Sequence, residues 1–290
     1  MTDRAPTGDG PLAIICGGGS LPFTVADAAQ RRGRRVVLFA LHGSADAARV
    51  AAYKHHWVSI TQVGRFFRLA RTETCRDLVM IGGVVRPPIR NLWMDATTVL
   101  LMPRIIRLLR GGDDHLLSGM MAILEENGFR LIGAHQIAPE ILVPEGVVAG
   151  RMPTERERTD ISRGLALLRA TGPFDVGQAV VVAYNYVIAV EAAEGTDAML
   201  ARVADLRRSG KIPTPTGVGV LVKAPKQGQD RRVDLPSIGP KTIEGAARAG
   251  LAGIAVVAGS AIVAEADRIA AVADRAKVFV VGVAAHEPGR

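Results

Sequence analysis

The sequence contains few cysteines, few aromatic residues and no long apolar run. Cys16 and Cys75 are too few for a disulfide framework, which favours a reducing, cytoplasmic setting. No apolar run approaches the roughly 18 residues that a membrane-spanning helix needs. The N-terminal residues 1–11 are polar and lack the apolar core of a signal peptide. We therefore expect a soluble, cytoplasmic protein.

The composition favours an α/β fold. Hydrophobic residues make up 48% of the 290-residue chain but aromatic residues only 4%, so the core must consist mainly of Ala, Val, Leu and Ile. Together with 32 glycines, this is typical of parallel sheets packed closely against helices. The length suits one large or two ordinary domains.

The formal charge of +8 raises the question of a nucleic-acid partner. The basic residues are scattered, however, and no recognition helix, zinc knuckle or aromatic RNA-binding motif is present, so no nucleic-acid partner is predicted. A basic protein can instead meet anionic lipid or a phosphorylated substrate.

A glycine turn follows the first predicted strand, residues 12–16. Gly17, Gly18 and Gly19 precede a predicted helix, an arrangement that can bind an anion at the helix N-terminus. The dinucleotide fingerprint is incomplete, because its third glycine is absent and His42 stands where an acid should follow the second strand. The alternative is a tight turn that needs glycine for backbone reasons alone.

Four further polar residues of the N-terminal half are candidate site residues. Arg86 lies just past the end of a predicted strand, where ligands gather in open α/β sheets. Asp113 and Asp114 begin a predicted helix, where they either complement its N-terminal charge or act as metal ligands or ribose acceptors. His135 ends a predicted strand, residues 129–134, and such a histidine is more often structural than chemical.

The chain is predicted to contain two α/β domains. The N-terminal domain, residues 11–143, should have a Rossmann-like parallel sheet, because strands and helices alternate there. A polar crossing at residues 144–154 is predicted as a linker. Residues 155–290 should form a mixed α/β catalytic domain.

Acidic residues follow a predicted hairpin formed by residues 177–183 and 186–191. Thr196 is a natural N-cap for a helix that begins at Asp197. Glu194 and Asp197 are candidate metal ligands, although capping explains much of Asp197.

The most informative stretch is the loop at residues 223–240, which its prolines keep out of regular structure. Its charged residues are Lys223, Lys226, Asp230, Arg231, Arg232 and Asp234. Cations of this kind neutralise phosphate oxygens, and carboxylates hold a hard metal ion that bridges them. The alternative is a solvated loop of mixed charge.

The order of motifs resembles the LpxI family, the UDP-2,3-diacylglucosamine pyrophosphatases of lipid A biosynthesis. The motifs are Gly17-Gly18-Gly19-x-Leu21-Pro22, Arg86-Pro87, Gly112-Asp113-Asp114, Gly133-Ala134-His135, Asp175-x-Gly177-Gln178, Glu194-Gly195-Thr196-Asp197 and Arg232-Val233-Asp234-Leu235-Pro236-x-Ile238-Gly239. The likeness covers residues 12–283. The last two motifs, in this order, are specific, whereas the glycine turn and Gly-Asp-Asp are weak signals.

The resemblance implies two domains with the substrate between them. It implies magnesium-dependent hydrolysis of UDP-2,3-diacylglucosamine to 2,3-diacylglucosamine 1-phosphate (lipid X) and UMP, with water attacking the β-phosphorus. The family's catalytic aspartate corresponds to Asp234, whereas Asp230 inherits no role.

Combining motifs and chemistry gives a predicted site. A pyrophosphate diester repels a nucleophile, so hydrolysis favours a metal ion, cations on the leaving UMP and a carboxylate near the water. Asp234 orients the water, ligates Mg²⁺ or does both. The predicted Mg²⁺ ligands are Glu194, Asp197 and Asp234. The predicted substrate-binding residues are Gly18, Gly19, Arg86, Asp113, Asp114, His135, Gln178, Thr196, Lys223, Lys226 and Arg232.

Acyl chains require an apolar groove, and two predicted helices at residues 95–110 and 115–127 offer Leu and Met residues for it. Packing in the protein core is more usual for such residues than lining a groove. The set is Leu100, Leu101, Met102, Leu108, Leu109, Met120 and Met121. An acylated substrate predicts transient contact with the inner membrane surface. The sequence leaves open a homodimer.

Two other classes of function remain open at this point. A nucleotide-dependent oxidoreductase is disfavoured by the missing glycine and ribose acid. A non-catalytic carrier of a lipid-linked phosphate would bind the substrate without releasing UMP.

Overall fold

The chain forms two compact units, which are described separately. A computed structural model describes residues 10–85, 94–109, 113–174, 176–212, 214–226 and 228–284, without the side chains of residues 109 and 113–116. The first unit comprises Met1–Pro139 and Asp230–Asp234, and the second comprises Glu140–Gln229 and Leu235–Arg290. A five-residue segment from the C-terminal half of the sequence, Asp230–Asp234, thus belongs to the first unit.

The first unit alternates strands and helices. Its described strands are β1 (Leu12–Cys16), β2 (Val36–Leu41), β3 (His55–Val58), β4 (Asp77–Ile81) and β5 (Arg130–Leu131). Its described helices are α1 (Leu21–Arg31), α2 (Ala47–Val50), α3 (Val63–Thr72), α4 (Ala96–Leu109), α5 (Asp113–Glu126) and α6 (Ala134–Ile137).

These strands form a parallel sheet with the order β3-β2-β1-β4-β5. β1 and β2 are apolar and almost entirely buried, as expected for parallel strands covered on both faces. Because β1 pairs in parallel with both β2 and β4, the carboxyl ends of these strands meet at one edge. The order matches the Rossmann-like arrangement and confirms the predicted fold class of this region.

Four phenylalanines, Phe39, Phe66, Phe67 and Phe129, lie in the core of the first unit. α3 buries Val63, Phe66, Phe67 and Ala70, which recur at the spacing of one helix face. The ring of Phe66 meets Phe39 edge-on, with centroids 4.9 Å apart. This packing fixes α3 against β2.

The second unit begins with a strand and a long helix. Its described strands are β6 (Gly146–Ala149), β7 (Ala179–Ala183), β8 (Tyr186–Val190), β9 (Val220–Lys223), β10 (Ser237–Ile238), β11 (Gly253–Val257), β12 (Ile262–Val263) and β13 (Phe279–Val283). Its described helices are α7 (Glu155–Thr171), α8 (Gly195–Arg208), α9 (Pro240–Arg248) and α10 (Ala266–Ala276).

The main sheet of the second unit is mixed, as predicted. Its order is β6-β13-β11-β9-β7-β8, in which β9, β11 and β13 are parallel and the outer pairs are antiparallel. β10 and β12 form a separate parallel pair. Residues 144–154, predicted as a linker, include β6, which pairs with β13.

The predicted hairpin is confirmed and has a tight two-residue turn. Tyr184 and Asn185 both have left-handed backbone angles, with φ of 53° and 58°. The buried carboxylate of Asp160 accepts hydrogen bonds from both turn amides, at 3.2 Å from Tyr184 and 2.5 Å from Asn185. This carboxylate anchors the hairpin to α7.

Two local predictions are wrong. Thr196 does not cap its helix, because α8 begins at Gly195 and Glu194 occupies the N-cap position. His135 does not end a strand, because β5 is only two residues long and His135 lies in α6.

Among the described residues, no helix combines the length and apolar character required to cross a bilayer.

Candidate functional site

The glycine turn at the carboxyl edge of the first sheet binds a neighbouring turn of the same unit. The amide of Gly18 donates to the carbonyl of Gly83 at 2.7 Å, and the amide of Gly83 donates back to Gly18 at 3.0 Å. A Cβ at Gly17 would lie 2.6 Å from the backbone of Gly82 and Gly83. Only glycine at position 17 lets the two turns pack this closely against each other.

Gly19 differs from its neighbours. Its φ of +93° favours glycine, and a Cβ there would face open space. Because the amide of Gly18 is engaged by Gly83, an anion at this turn would have to use other donors. That Gly18 and Gly19 contact substrate stays a prediction.

Three predicted site residues lie outside the described side chains. Arg86 is not among the described residues. Asp113 and Asp114 are the first residues of α5, as predicted, but their side chains are not described.

The segment Asp230–Asp234 forms an ordered turn in the first unit. The amides of Val233 and Asp234 donate to the carbonyl of Asp230, at 3.2 and 3.1 Å. Val233 packs against the core of this unit. The half-buried Asp234 is thereby held at the end of a backbone turn rather than in a solvated loop.

Arg232 fixes this turn by binding two carboxylates. Its Nη2 donates to Asp230 at 2.7 Å, and its Nη1 donates to Glu125 on α5 at 2.7 Å. The Asp230 carboxylate also accepts from the amide of Arg232 at 2.9 Å. The hydrogen bonds from the Arg232 guanidinium lower the pKa of Asp230, and those to Asp230 raise the pKa of Arg232.

The same turn lies close to His135, which the sequence predicted as a separate site residue. A Cβ at Gly133 would lie 2.5 Å from the His135 ring and 3.3 Å from the Cα of Arg232. The structure therefore brings His135, Gly133 and Arg232 together, and glycine at position 133 is needed for this approach.

A buried lysine stands at the carboxyl end of β9 in the second unit. Lys223 is only 7% exposed. Its Nζ donates to the hydroxyl of Thr196 and to the backbone carbonyl of Ser237, each at 3.0 Å. Burial lowers the pKa of Lys223, and the nearby carboxylates of Glu191 and Asp197 partly oppose this.

Glu191 completes this network and was not identified from the sequence. Thr196 donates its hydroxyl proton to Oε1 of Glu191 at 3.0 Å, and the amide of Gln178 donates to Oε2 at 3.1 Å. The structure thus brings together Gln178, Thr196 and Lys223, three predicted substrate-binding residues. No motif marks Glu191, because it merely ends a predicted strand.

Lys226 lies in the variable piece of the loop that follows β9. Its amide donates to the side-chain carbonyl of Gln229 at 3.2 Å. The Lys226 side chain is half-buried. This hydrogen bond orders a stretch that the sequence marked only as variable.

The predicted metal ligands differ in their surroundings. Glu194 accepts from Arg202 at 2.6 Å, and hydrogen bonds from backbone amides and from Arg202 lower its pKa. Asp197 is exposed in the first turn of α8, whereas Asp234 belongs to the first unit. Across the parts of the chain that the structure describes, no group of three or more His, Cys, Asp or Glu side chains forms a metal cage.

Most of the Leu and Met residues considered for the acyl groove pack in or against the core where the structure describes their side chains; that of Leu109 lies outside them. Leu101, Leu108 and Met120 pack against the core of the first unit, and Met121 is buried in it. Leu100 is an exception, with 80% of its surface exposed.

Comparison with known proteins matches both halves of the chain to one family. The model of the LpxI N-terminal domain matches residues 11–141, and that of the LpxI C-terminal domain matches residues 144–281. The chain is also 40% identical over 276 residues to UDP-2,3-diacylglucosamine pyrophosphatase LpxI of Caulobacter vibrioides, covering 95% of this chain and 98% of that protein. With both domain models matched in order and this relative aligned nearly end to end, the chain belongs to the LpxI family.

Proposed function

We propose that this protein hydrolyses the pyrophosphate bond of UDP-2,3-diacylglucosamine, giving UMP and 2,3-diacylglucosamine 1-phosphate. The observation that carries the proposal is the 40% identity, over 95% of the chain, to a Caulobacter protein named for this substrate and reaction. The ordered turn that holds Asp234 supports it, because hydrolysis needs a positioned carboxylate.

In the proposed reaction, water attacks the β-phosphorus. The water oxygen forms a new bond to that phosphorus, and the bond from it to the bridging oxygen breaks. UMP leaves with the bridging oxygen, and the water proton passes to a base. Asp234 is the proposed carboxylate that orients the water and accepts this proton.

Mg²⁺ is proposed as the cofactor, held by Asp234, Glu194 or Asp197. When bound, it would neutralise phosphoryl oxygens and stabilise the developing charge. Mg²⁺ commonly uses only one or two protein carboxylates together with water and substrate phosphates, so one or two of these acids would suffice. Of the three, Glu194 is already engaged by a cationic partner, because Arg202 donates to it.

The phosphate contacts are proposed for cations of the loop at residues 223–240 and for the glycine turn. Lys226 and Arg232 are the candidate cations of the loop, and Arg232 is also bound by Asp230 and Glu125. Gly19 lies at the carboxyl edge of the first sheet, where ligands of such sheets bind, and the space beside its Cα is open.

We also propose that the protein meets the inner leaflet of the membrane through the outer face of α4. Val99, Leu100 and Ile106 lie on this face and are 55%, 80% and 46% exposed. Arg107 is exposed beside Ile106 on α4. Arg65 is exposed on α3, where its amide binds Asp95 just before α4, so anionic phospholipid is the proposed partner. Vesicles containing phosphatidylglycerol should bind the wild type more strongly than Leu100→Ser, and added salt should weaken both. Binding that salt does not change would mean that charge is not its cause.

The direct test of the reaction is UMP release from UDP-2,3-diacylglucosamine with and without Mg²⁺. Asp234→Ala should lose activity by about 100-fold or more while retaining substrate affinity, because a group that acts in the transition state contributes mainly to kcat. Asp205→Ala is the matched control, since Asp205 is 67% exposed and pairs with Arg208 at the surface. Near-normal activity of Asp234→Ala would contradict the assignment of Asp234.

A further inference from the structure

The loop that carries Asp234 starts and ends in paired strands of the second unit. At its start, Lys223 ends β9 and pairs with β7 and β11. At its end, Ser237 begins β10 and pairs with Ile262. The Nζ of Lys223 donates to the carbonyl of Ser237 at 3.0 Å, which joins the two ends of the loop directly.

The lysine is in turn held by a chain of hydrogen bonds. Thr196 accepts from Lys223 at 3.0 Å and donates to Glu191 at 3.0 Å. Glu191 is fixed by the amide of Gln178 and packs so closely on Gly177 that a Cβ there would lie 2.5 Å from its Cγ. The hydrogen bonds thus link the end of β9 to the start of α8, and through Thr196 to the end of β8.

Burying an ammonium group contributes little net free energy to the stability of a fold. Burial of a charge costs several kcal/mol, and hydrophobic replacements of buried ion pairs are often neutral or stabilising. An apolar residue at position 223 would fill the same space but could not join Thr196 to Ser237. The two hydrogen bonds of the ammonium therefore point to a role in the geometry of the loop rather than in stability.

We propose that Glu191, Thr196 and Lys223 form a clasp that fixes the base of the loop at residues 224–236, which makes Lys223 and Glu191 positioning residues for hydrolysis. The inference rests on the proposed function, because the importance of the loop lies in Asp234. This role for Lys223 differs from the sequence prediction, in which Lys223 contacts the phosphates of the substrate.

The test compares Lys223→Met with the double variant Lys223→Met/Glu191→Gln. Methionine keeps the length of the side chain but removes the ammonium, and glutamine removes the carboxylate left without its cation. Lys211→Met is the matched control, because Lys211 is exposed and lies outside the loop, 13 positions before it. Glu191→Gln alone serves as a second route to the same loss if Lys223→Met does not fold. Each variant is assayed for kcat, KM, melting temperature and amide hydrogen exchange of peptides covering residues 224–237.

The clasp predicts that Lys223→Met lowers kcat by about 10- to 100-fold, since a displacement of roughly 1 Å has an effect of this size. KM should stay within about threefold, because ground-state contacts are retained. Exchange in residues 224–237 should be faster. The double variant should regain melting temperature but not kcat, and Lys211→Met should match the wild type.

Three results would overturn the inference. The first is unchanged kcat with unchanged exchange. The second is a raised KM with unchanged exchange, which would make Lys223 a direct substrate contact. The third is recovery of kcat in the double variant, which would mean that Lys223 only neutralises the charge of Glu191 and does not position the loop. If the wild type itself releases no UMP, the proposed function fails, and exchange alone decides the clasp: faster exchange in Lys223→Met supports it and unchanged exchange refutes it.

Discussion

Replacing Asp230 by Asn should slow hydrolysis and also destabilise the protein modestly. The Asp230 carboxylate accepts from the amide and guanidinium of Arg232, which holds the turn that ends at Asp234. Hydrogen bonds to a charged group contribute about 1.5–3 kcal/mol when well buried. Here the side chains of Asp230 and Arg232 are 28% and 35% exposed, so screening by water reduces the expected loss of unfolding free energy to about 1 kcal/mol.

The change should also slow the reaction, because the turn presents Asp234. Asparagine keeps an oxygen for the amide of Arg232 but loses the charge that holds the guanidinium. A turn displaced by a fraction of an ångström should lower kcat by about tenfold while KM stays nearly constant. Arg232→Lys should have a similar effect, because one ammonium cannot bind both Asp230 and Glu125 as the guanidinium does.

The assay is steady-state UMP release, with unfolding by urea measured in parallel. Asp205→Asn is the control for loss of a surface carboxylate. If Arg232→Lys instead raised KM tenfold and Asp230→Asn had wild-type kinetics, Arg232 would be a phosphate contact. The pair of Asp230 and Arg232 would then have no part in presenting Asp234.

The pH dependence of this turn has a definite sign. Because Arg232 lowers the pKa of Asp230 in the folded state, the pair stabilises the fold above the unfolded value of about 3.9 and is lost as pH falls through the lower folded value. Between about pH 5 and pH 9 the charge of Asp230 is therefore constant, and any inflection of kcat in that range belongs to other groups.

Three further outcomes are expected. Asp77→Asn should destabilise the first unit by about 3 kcal/mol in urea unfolding, because it removes the partner of Arg34 in a buried pair; a loss below about 1 kcal/mol would contradict this. Asp160→Ala should destabilise the protein by about 1–3 kcal/mol by leaving both hairpin amides without their acceptor, and the same urea measurement checks it. UMP should raise the melting temperature whereas NAD should not, because the amide of Gly18 is engaged and His42, not an acid, directly follows β2; stabilisation by NAD alone would favour an oxidoreductase.

The sheet of the first unit was predictable because its strands are marked by local patterns. Leu12–Cys16 and Val36–Leu41 are continuous apolar runs, and such runs in alternation with helices indicate a parallel sheet. The hairpin was predictable for the same reason, since two β-branched runs flank Tyr184-Asn185. Two residues of strand, as in β5, are too short for any pattern, so the placement of His135 was missed.

The parts of the site that the sequence did not reveal depend on distant partners. Arg232 pairs with Glu125, which is 107 positions away, and no local signal links them. Thr196 resembles a cap, but its hydroxyl is used by Glu191 and Lys223. Charge and motif order predicted Asp234 and Lys223 as site residues, but only the packing shows that Lys223 binds Thr196 and Ser237.

The most direct test of the proposed reaction is hydrolysis of UDP-2,3-diacylglucosamine in ¹⁸O-labelled water with Mg²⁺. The wild type should release UMP and 2,3-diacylglucosamine 1-phosphate in equal amounts, with the label in the 1-phosphate, and Asp234→Ala should release neither at a comparable rate. Label in UMP would contradict attack at the β-phosphorus. Tight binding of the substrate without release of UMP by the wild type would contradict the enzymatic function itself.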